Sequence, residues 1–168
     1  MAATWCMSKT NKVMNNSEKK YLESLFPNLR RDPDFKITSE CTDNYNCIAW
    51  AVGKSDCWYW PPLDKKYSEP DEYWPENVPF KTDLTTFITA LKTDGYTPCP
   101  DSLLEPGYTK IALYAVDGEI THAARQLNNG LWTSKLGPLN DIQHGSPEVI
   151  EGGFYGKVAA FMKKKISV

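Results

Sequence analysis

Two residues of this chain have the types and the spacing for thiol chemistry: Cys47 and His122, which stand 75 residues apart. Cys47 follows a polar, turn-forming run at 43–46 and precedes the apolar run 48–52. This pattern predicts a short buried helix with Cys47 in its first turn and Gly53 as its stop. Because the first N–H groups of a helix are unpaired and its dipole is positive there, a thiolate at that position has a lowered pKa and is a better nucleophile. A buried structural cysteine is the alternative interpretation.

A thiol nucleophile needs a base, normally histidine, and a third group that orients the base. His122 lies in a predicted strand at 119–127, and its small neighbours Ala123 and Ala124 permit the close approach of a helix end. The chain has only two histidines, which favours a catalytic role for His122 over that of a packed strand residue. The sequence therefore predicts a Cys–His pair.

The sequence leaves the third group open, because the register of the hairpin after His122 is uncertain by one or two positions. A two-residue turn at Asn129-Gly130 would place Gly137 opposite His122, and a slip would place Lys135 there instead. Neither of these side chains can accept a hydrogen bond from an imidazole. The polar residues that could hold the tautomer are Asp141, which is the first choice, followed by Gln126 and His144. A turn role explains Asp141 almost equally well.

An oxyanion hole needs donors that are aimed at the developing charge. The backbone N–H of Cys47 is one candidate, and a side-chain amide of Asn44 or Asn46 is a second. Turn and helix-cap chemistry explains both asparagines at least as well.

An aromatic segment follows the cysteine helix at 56–74. Four of the six tryptophans lie between positions 50 and 74. The segment is too rich in proline for a helix and too aromatic for an ordinary exposed loop, so it forms either a lid on the core or the wall of a cleft. In the second case Trp58, Trp60 and Trp74 would line the substrate cleft.

The elements that must position these residues follow an α+β pattern, with N-terminal helices packed on an antiparallel sheet. Ser17 is predicted to cap a first helix, and Asp83 a later amphipathic helix that ends at Gly95. The segments 96–106 and 140–153 are predicted to be a connector and a loop. The predicted strands span 35–38, 110–116, 119–127, 131–136 and 154–166. The predicted domains are a flexible N-terminus at 1–16 and a single domain at 17–168.

Composition narrows the function classes further. A net charge of −2 and a pI near 5.7 give no reason to expect nucleic acid or an anionic membrane as a partner. No apolar run approaches the roughly 20 residues of a membrane span. The five cysteines form no CxxC pair, so we expect no metal site and no cofactor.

The same cysteines indicate a compartment. We expect reduced thiols in a protein made in the cytoplasm, since the N-terminus lacks the apolar segment of a signal peptide. Export without a signal peptide, as a bacterial effector or toxin, is left open, and so is the oligomeric state.

The order of a cysteine at a helix start, then a sheet with a histidine, then a polar third residue resembles the papain-like cysteine hydrolase superfamily, including the NlpC-type amidases and small secreted bacterial deamidases. This resemblance implies a papain-like order of elements. One departure is that Cys41 stands where a papain-like hydrolase has the oxyanion glutamine, six residues before the nucleophile.

A closer resemblance lies in YNCIAWA at 45–51, in the segment around Trp58 and Trp60, and in THAARQL at 121–127 with GLWTSKLG at 130–137. These motifs are similar to those of a family of small, largely uncharacterised bacterial proteins, over roughly residues 40–163. The resemblance adds motif positions near the orienter or the substrate: Ser134, Lys135, Asp141 and His144.

The sequence thus predicts a cysteine-dependent hydrolase of amide bonds: a peptidase, an amidase or a glutamine deamidase with a protein or peptide-like substrate. Cys47 would attack, His122 would act as base and Asp141 would orient it. Acyl transfer would use the same residues. The alternative is a non-catalytic binding module that uses the Trp/Tyr-rich loop at 56–74.

Overall fold

The computed structural model describes residues 13–63 and 71–167. Its α-helices are α1 Val13–Leu25, α2 Cys47–Ala51 and α3 Leu84–Thr93, and 3-10 helices span Pro27–Arg31 and Pro147–Ile150. Its strands are β1 Lys36–Ile37, β2 Trp58–Tyr59, β3 Glu72–Tyr73, β4 Thr97–Cys99, β5 Tyr108–Val116, β6 Glu119–Gln126, β7 Trp132–Lys135, β8 Asp141–His144 and β9 Lys157–Lys165. The predicted α+β class is confirmed.

Seven of these strands form one sheet in the order β1-β8-β7-β6-β5-β9-β4, with antiparallel pairing throughout. The β5–β6 hairpin turns at Asp117-Gly118, where both residues have positive φ (50° and 84°). That conformation matches the right-handed twist of the flanking strands. The two remaining strands, β2 and β3, pair in parallel outside the main sheet.

Each face of the sheet buries its own apolar core. Alternate residues of β5 show the division: Leu113 belongs to the core beneath α2 and α3, whereas Ala112 and Tyr114 belong to the core beneath α1. We call these the α2 face and the α1 face. Residues of the site can therefore be assigned to a face by their position along each strand.

Two predicted helix starts have different outcomes. The start of α3 is confirmed, since the Asp83 side chain accepts a hydrogen bond from the Thr86 N–H. The predicted start of α1 at Ser17 is wrong, because the helix begins at Val13. No proline or glycine separates Val13 from Ser17, so nothing stops the helix from extending backwards. The rest of the predicted flexible N-terminus, residues 1–12, lies outside the described residues.

Two strands of the main sheet were not predicted, and neither were β2 and β3 in the aromatic segment. β4 lies in the predicted connector and β8 in the predicted loop. β4 is three residues long and contains a proline, which is tolerated at the edge of a sheet. β8 has the mostly polar sequence Asp-Ile-Gln-His, which lacks a strand's usual apolar alternation, yet three of its four residues are buried.

Two further findings concern the cysteines and the length of the helices. Cys41 is disulfide-bonded, so the prediction that all thiols are reduced is wrong at this position. Free thiols among the described residues are those of Cys47, Cys57 and Cys99. No helix in the described ranges is both long and apolar enough to cross a bilayer.

Candidate active site

Cys47 is the first residue of α2, as predicted, and the residue before it is its cap. The Asn46 side-chain oxygen accepts a hydrogen bond from the Ala49 N–H at 3.0 Å. The same amide exchanges two 3.1 Å hydrogen bonds with the backbone of Tyr59 in β2. These bonds fix the amide and use one of its two N–H donors, so Asn46 has a structural role, and its role as an oxyanion donor stays a prediction.

The sheet is open where Cys47 meets it. Within the described chain, β6 and β7 pair only at Arg125↔Thr133 and Gln126↔Trp132. Continuing this register would place Ala124 opposite Ser134 and then Ala123 opposite Lys135, but no pairing is formed at either step. The backbone N–H of Ala123 instead faces the sulfur of Cys47. The sulfur therefore lies against β6 at the residue that directly follows His122.

Burial dominates the acidity of this thiol. It raises the pKa of Cys47 to about 11, although the N–H groups of Ala123 and Ile48 and the charge of Lys135 act in the opposite direction. The predicted lowering of the Cys47 pKa is therefore wrong for the resting site. A five-residue helix gives too little stabilisation of the thiolate to offset its desolvation. The thiol is protonated at neutral pH.

A cleft of about 530 Å³ opens onto Cys47, whose exposed fraction is 9%. The residues that line it are Asn46, Cys47, Trp58, Trp60, Asp71, Glu72 and Gly137. Trp58 is 37% exposed, and Trp60 is anchored by its ring contact with Phe87 at 5.0 Å. Trp58 and Trp60 thus line a cleft beside Cys47, and their contact with a substrate stays a prediction.

Trp74, the third predicted cleft residue, does not line this cleft. Its ring packs edge-on against Phe87 at 5.1 Å, and its indole N–H donates to the Val78 carbonyl at 3.2 Å. It forms the wall of a separate cavity with residues 75–80. Its role is therefore to pack on the core, which was the other interpretation of the aromatic segment.

His122 is fully buried on the α1 face and begins a chain of polar contacts. Its Nε2 lies 3.1 Å from the Ser134 hydroxyl oxygen. That oxygen lies 2.8 Å from Nε2 of His144, whose Nδ1 lies 2.8 Å from the Ser146 carbonyl oxygen. Nδ1 of His122 has no hydrogen-bond partner among the described residues. The imidazole is thus held at one nitrogen and left open at the other.

Two tyrosines fix the plane of this imidazole. Tyr155 stacks on it with a centroid distance of 4.0 Å and an interplanar angle of 10°. Tyr114 meets it edge-on at 5.2 Å, and its own hydroxyl is anchored on the Pro147 carbonyl at 2.6 Å. Neither tyrosine was predicted to belong to the site. Tyr114 lies within a predicted strand, but only the register, which places it opposite His122, reveals its role.

Both histidines are neutral at pH 7. Burial, with a smaller contribution from His144, holds the pKa of His122 well below its usual range. Burial lowers the pKa of His144 to about 4, although the Ser146 carbonyl and the charges of Asp32 and Glu148 act in the opposite direction.

The first choice for the orienting residue is not supported. Asp141 lies on the α2 face, where its carboxylate accepts the Tyr45 hydroxyl at 2.6 Å and makes no contact with the imidazole. Gln126 donates to the Ser102 carbonyl at 2.7 Å. His144, the remaining candidate, does join His122, but through a hydroxyl group that stands between them.

The remaining predicted residues have other roles. Lys135 is fully buried on the α2 face, where its ammonium donates to the Leu139 carbonyl and lies 5.3 Å from the centroid of the Tyr45 ring. It therefore acts on Cys47 through its charge and does not line the cleft. Ser134 belongs to the histidine chain and not to the cleft. Asn44 lies in an exposed turn.

Comparison with known proteins gives one finding. A family model described as a domain of unknown function (DUF7689) matches residues 36–163. No curated protein and no solved structure matches the chain. The matched range includes Cys47, His122, Ser134 and His144.

Proposed function

The chain belongs to a family that is described as a domain of unknown function (DUF7689), and we propose from its site that it is a cysteine-dependent hydrolase of amide bonds. The observation that carries this proposal is the unpartnered Nδ1 of His122. A buried imidazole nitrogen normally has a hydrogen-bond partner, and leaving it without one costs stability. His122 lies on the α1 face and Cys47 on the α2 face, so the proton would pass through the gap between β6 and β7 beside Ala123, whose N–H faces the Cys47 sulfur.

The proposed reaction begins from a neutral pair. As the Cys47 sulfur attacks the carbonyl carbon of the substrate, Nδ1 of His122 takes the thiol proton, and a tetrahedral intermediate forms. The C–N bond then breaks, His122 returns the proton to the departing amine, and a thioester to Cys47 remains. Water, deprotonated by the same nitrogen, hydrolyses the thioester and releases the acid and the free thiol.

The raised pKa of the Cys47 thiol is consistent with this order of events. A thiol with a pKa of about 11 does not form a stable thiolate–imidazolium pair at rest, so proton transfer has to accompany the attack. The N–H of Ala123 and the charge of Lys135 then stabilise the sulfur as it loses its proton. Substrate would reach Cys47 through the cleft that Trp58 and Trp60 line.

The papain-like order of elements is part of the same proposal. Two features support this order. The cysteine starts a helix that packs against a strand, and the histidine of that strand is held by a polar side chain through one nitrogen. Peptidase, amidase and deamidase activities all use this set of groups. Acyl transfer would differ only in the exclusion of water.

The test is the pH dependence of Cys47 alkylation by iodoacetamide, read by mass spectrometry in the native protein and in His122→Ala. We expect Cys47 to react at least about 10-fold more slowly in His122→Ala, since a positioned base contributes about 10² or more. Cys57 and Cys99 serve as internal controls and should keep their rates. Gln126→Ala is the matched control variant, because it removes a buried polar side chain from the same strand. Equal Cys47 rates in the native protein and His122→Ala would refute the proposal.

A second candidate is a non-catalytic binding module built on the same cleft. The burial that raises the Cys47 pKa favours it, since such a thiol is a poor nucleophile without help. The partial exposure of Trp58 also favours it, because a half-exposed aromatic wall is typical of binding sites. If Cys47 stays inert at every pH at which Cys57 reacts, this candidate replaces the hydrolase.

A further inference from the structure

The polar chain that starts at His122 ends on a backbone carbonyl, and that end determines the direction of every hydrogen bond in it. A carbonyl oxygen can only accept. Nδ1 of His144, 2.8 Å from the Ser146 oxygen, must therefore carry a proton and donate it. Since His144 is neutral, its Nε2 carries no proton and can only accept.

The next two bonds follow from this one. The Ser134 hydroxyl, 2.8 Å from the bare Nε2 of His144, donates its only proton there. Its oxygen is then an acceptor toward His122, at 3.1 Å. Nε2 of His122 must therefore carry the proton in that bond, and in a neutral ring this leaves Nδ1 with a free lone pair.

We propose that Ser134 and His144 are positioning residues that fix the tautomer of His122, with the proton on Nε2 and the basic lone pair on Nδ1. This inference rests on the proposed function, in which Nδ1 accepts the thiol proton. It replaces the carboxylate that was expected to orient the base with an uncharged serine and histidine, anchored by the carbonyl of Ser146.

The opposite direction of the chain is disfavoured by the same anchor. It would place an unprotonated Nδ1 of His144 against the carbonyl oxygen and leave two buried acceptors facing each other. A buried acceptor without its hydrogen bond reduces the population of such a state by roughly 5- to 150-fold. The native direction also survives catalysis, because a doubly protonated His122 still donates from Nε2 to Ser134. No hydrogen bond between His122, Ser134, His144 and the Ser146 carbonyl has to change direction when Nδ1 of His122 takes up the proton.

The sheet holds both positioning residues in place. Ser134 pairs with Ile142, and His144 with Trp132, across the β7–β8 ladder. This register sets Ser134 and His144 side by side on the α1 face. The stacked ring of Tyr155 prevents rotation of the imidazole out of line with Ser134. The geometry of the chain is therefore built into regular secondary structure.

The direct test is the nitrogen chemical shifts of the two imidazoles in ¹⁵N-labelled native protein at neutral pH. We expect a pyridine-type shift for Nδ1 of His122 and a pyrrole-type shift for its Nε2. His144 should show the reverse, with the proton on Nδ1. With only two histidines in the chain, the spectrum of His122→Ala assigns both. A proton found on Nδ1 of His122 in the native protein would overturn the inference.

Ser134→Ala then removes the bridge. We expect both tautomers of His122 to become populated and the alkylation of Cys47 to slow by roughly 10- to 100-fold. Ser134→Thr keeps the hydroxyl and should retain the native shifts, and it also serves if the alanine variant fails to fold. Gln143→Ala is the matched control on β8, since the Gln143 side chain points away and donates to the Asp34 carbonyl. Native shifts in a folded Ser134→Ala would also overturn the inference.

The two proposals can fail separately. The tautomer is read from nitrogen shifts and requires no activity, so it tests the role of Ser134 and His144 alone. The effect of His122→Ala on Cys47 alkylation tests the proposed hydrolase alone. If the shifts are as expected while His122→Ala leaves the alkylation rate unchanged, the hydrolase is refuted and the tautomer assignment stands.

Discussion

Acidification should destabilise this fold through its two buried histidines. The effect should begin at a higher pH than the range in which most carboxylates are protonated. The folded state holds His144 neutral, with a pKa of about 4, whereas the ordinary value is 6.5. The unfolded chain binds a proton at this histidine below pH 6.5, whereas the folded chain does not. The contribution of His144 to the free energy of unfolding is therefore fully present above pH 6.5. It is lost as the pH falls from 6.5 toward 4.

The magnitude follows from this difference in pKa. It corresponds to about 3 kcal/mol for His144, lost at up to about 1.4 kcal/mol per pH unit. The pKa of His122 is lowered in the same direction, so its loss adds to the first. Against a typical free energy of unfolding of about 5–15 kcal/mol, this is a large fraction.

The assay is urea denaturation at a series of pH values between neutral and about pH 4, with the free energy of unfolding extrapolated to water. His144→Gln is the informative variant, because it removes the titrating ring and keeps a side-chain acceptor toward Ser134. The free energy of unfolding of His144→Gln should fall less steeply with decreasing pH than that of the native protein. The two slopes should differ by up to about 1.4 kcal/mol per pH unit. Asp141, whose pKa burial raises, acts in the opposite sense in both proteins and cancels in the comparison. Equal slopes for the native protein and His144→Gln would refute the reasoning.

Three further changes test other parts of the structure. Asn46→Ala should cost roughly 1–2 kcal/mol because it removes a helix cap and the bonds to β2, while Asn44→Ala in the exposed turn should change the urea midpoint little. Tyr45→Phe should cost roughly 1–3 kcal/mol by removing one hydrogen-bond donor from buried Asp141. The pH profile of Cys47 alkylation should stay native, and a changed profile would contradict the separation of Asp141 from His122. Gly156→Ala should lower the melting temperature strongly, since φ is 68° and the added Cβ would clash with the Ala115 carbonyl oxygen; an unchanged melting temperature would mean that the backbone before β9 shifts to admit the Cβ.

Local signals predicted the local structure well. The cap Asp83, the turn Asp117-Gly118 and the helix that starts at Cys47 are all present, because each depends on a few adjacent residues. Burial was harder to predict. The same helix start that suggested an acidic thiol lies so deep that desolvation reverses the shift. Helix position can be predicted from the sequence, whereas the depth of a side chain depends on elements far along the chain.

The third member of the proposed site could not be chosen among the candidates Asp141, Gln126 and His144, because the choice depended on one residue of loop length. A two-residue turn at 129–130 would have placed Lys135 on the same face as His122. The turn instead contains three residues, as the Leu127 N–H to Leu131 carbonyl bond shows, with Gly130 at φ 84°. Because side chains alternate between faces, this single residue exchanges Lys135 for Ser134 beside the imidazole.

That exchange also decides the chemistry at His122. A lysine beside Nε2 could only donate and would have directed the lone pair of the ring toward itself, away from the cysteine. A serine hydroxyl both accepts and donates, so it passes the constraint from the Ser146 carbonyl through His144 to His122. The length of the β6–β7 turn therefore determines which nitrogen of His122 carries the basic lone pair.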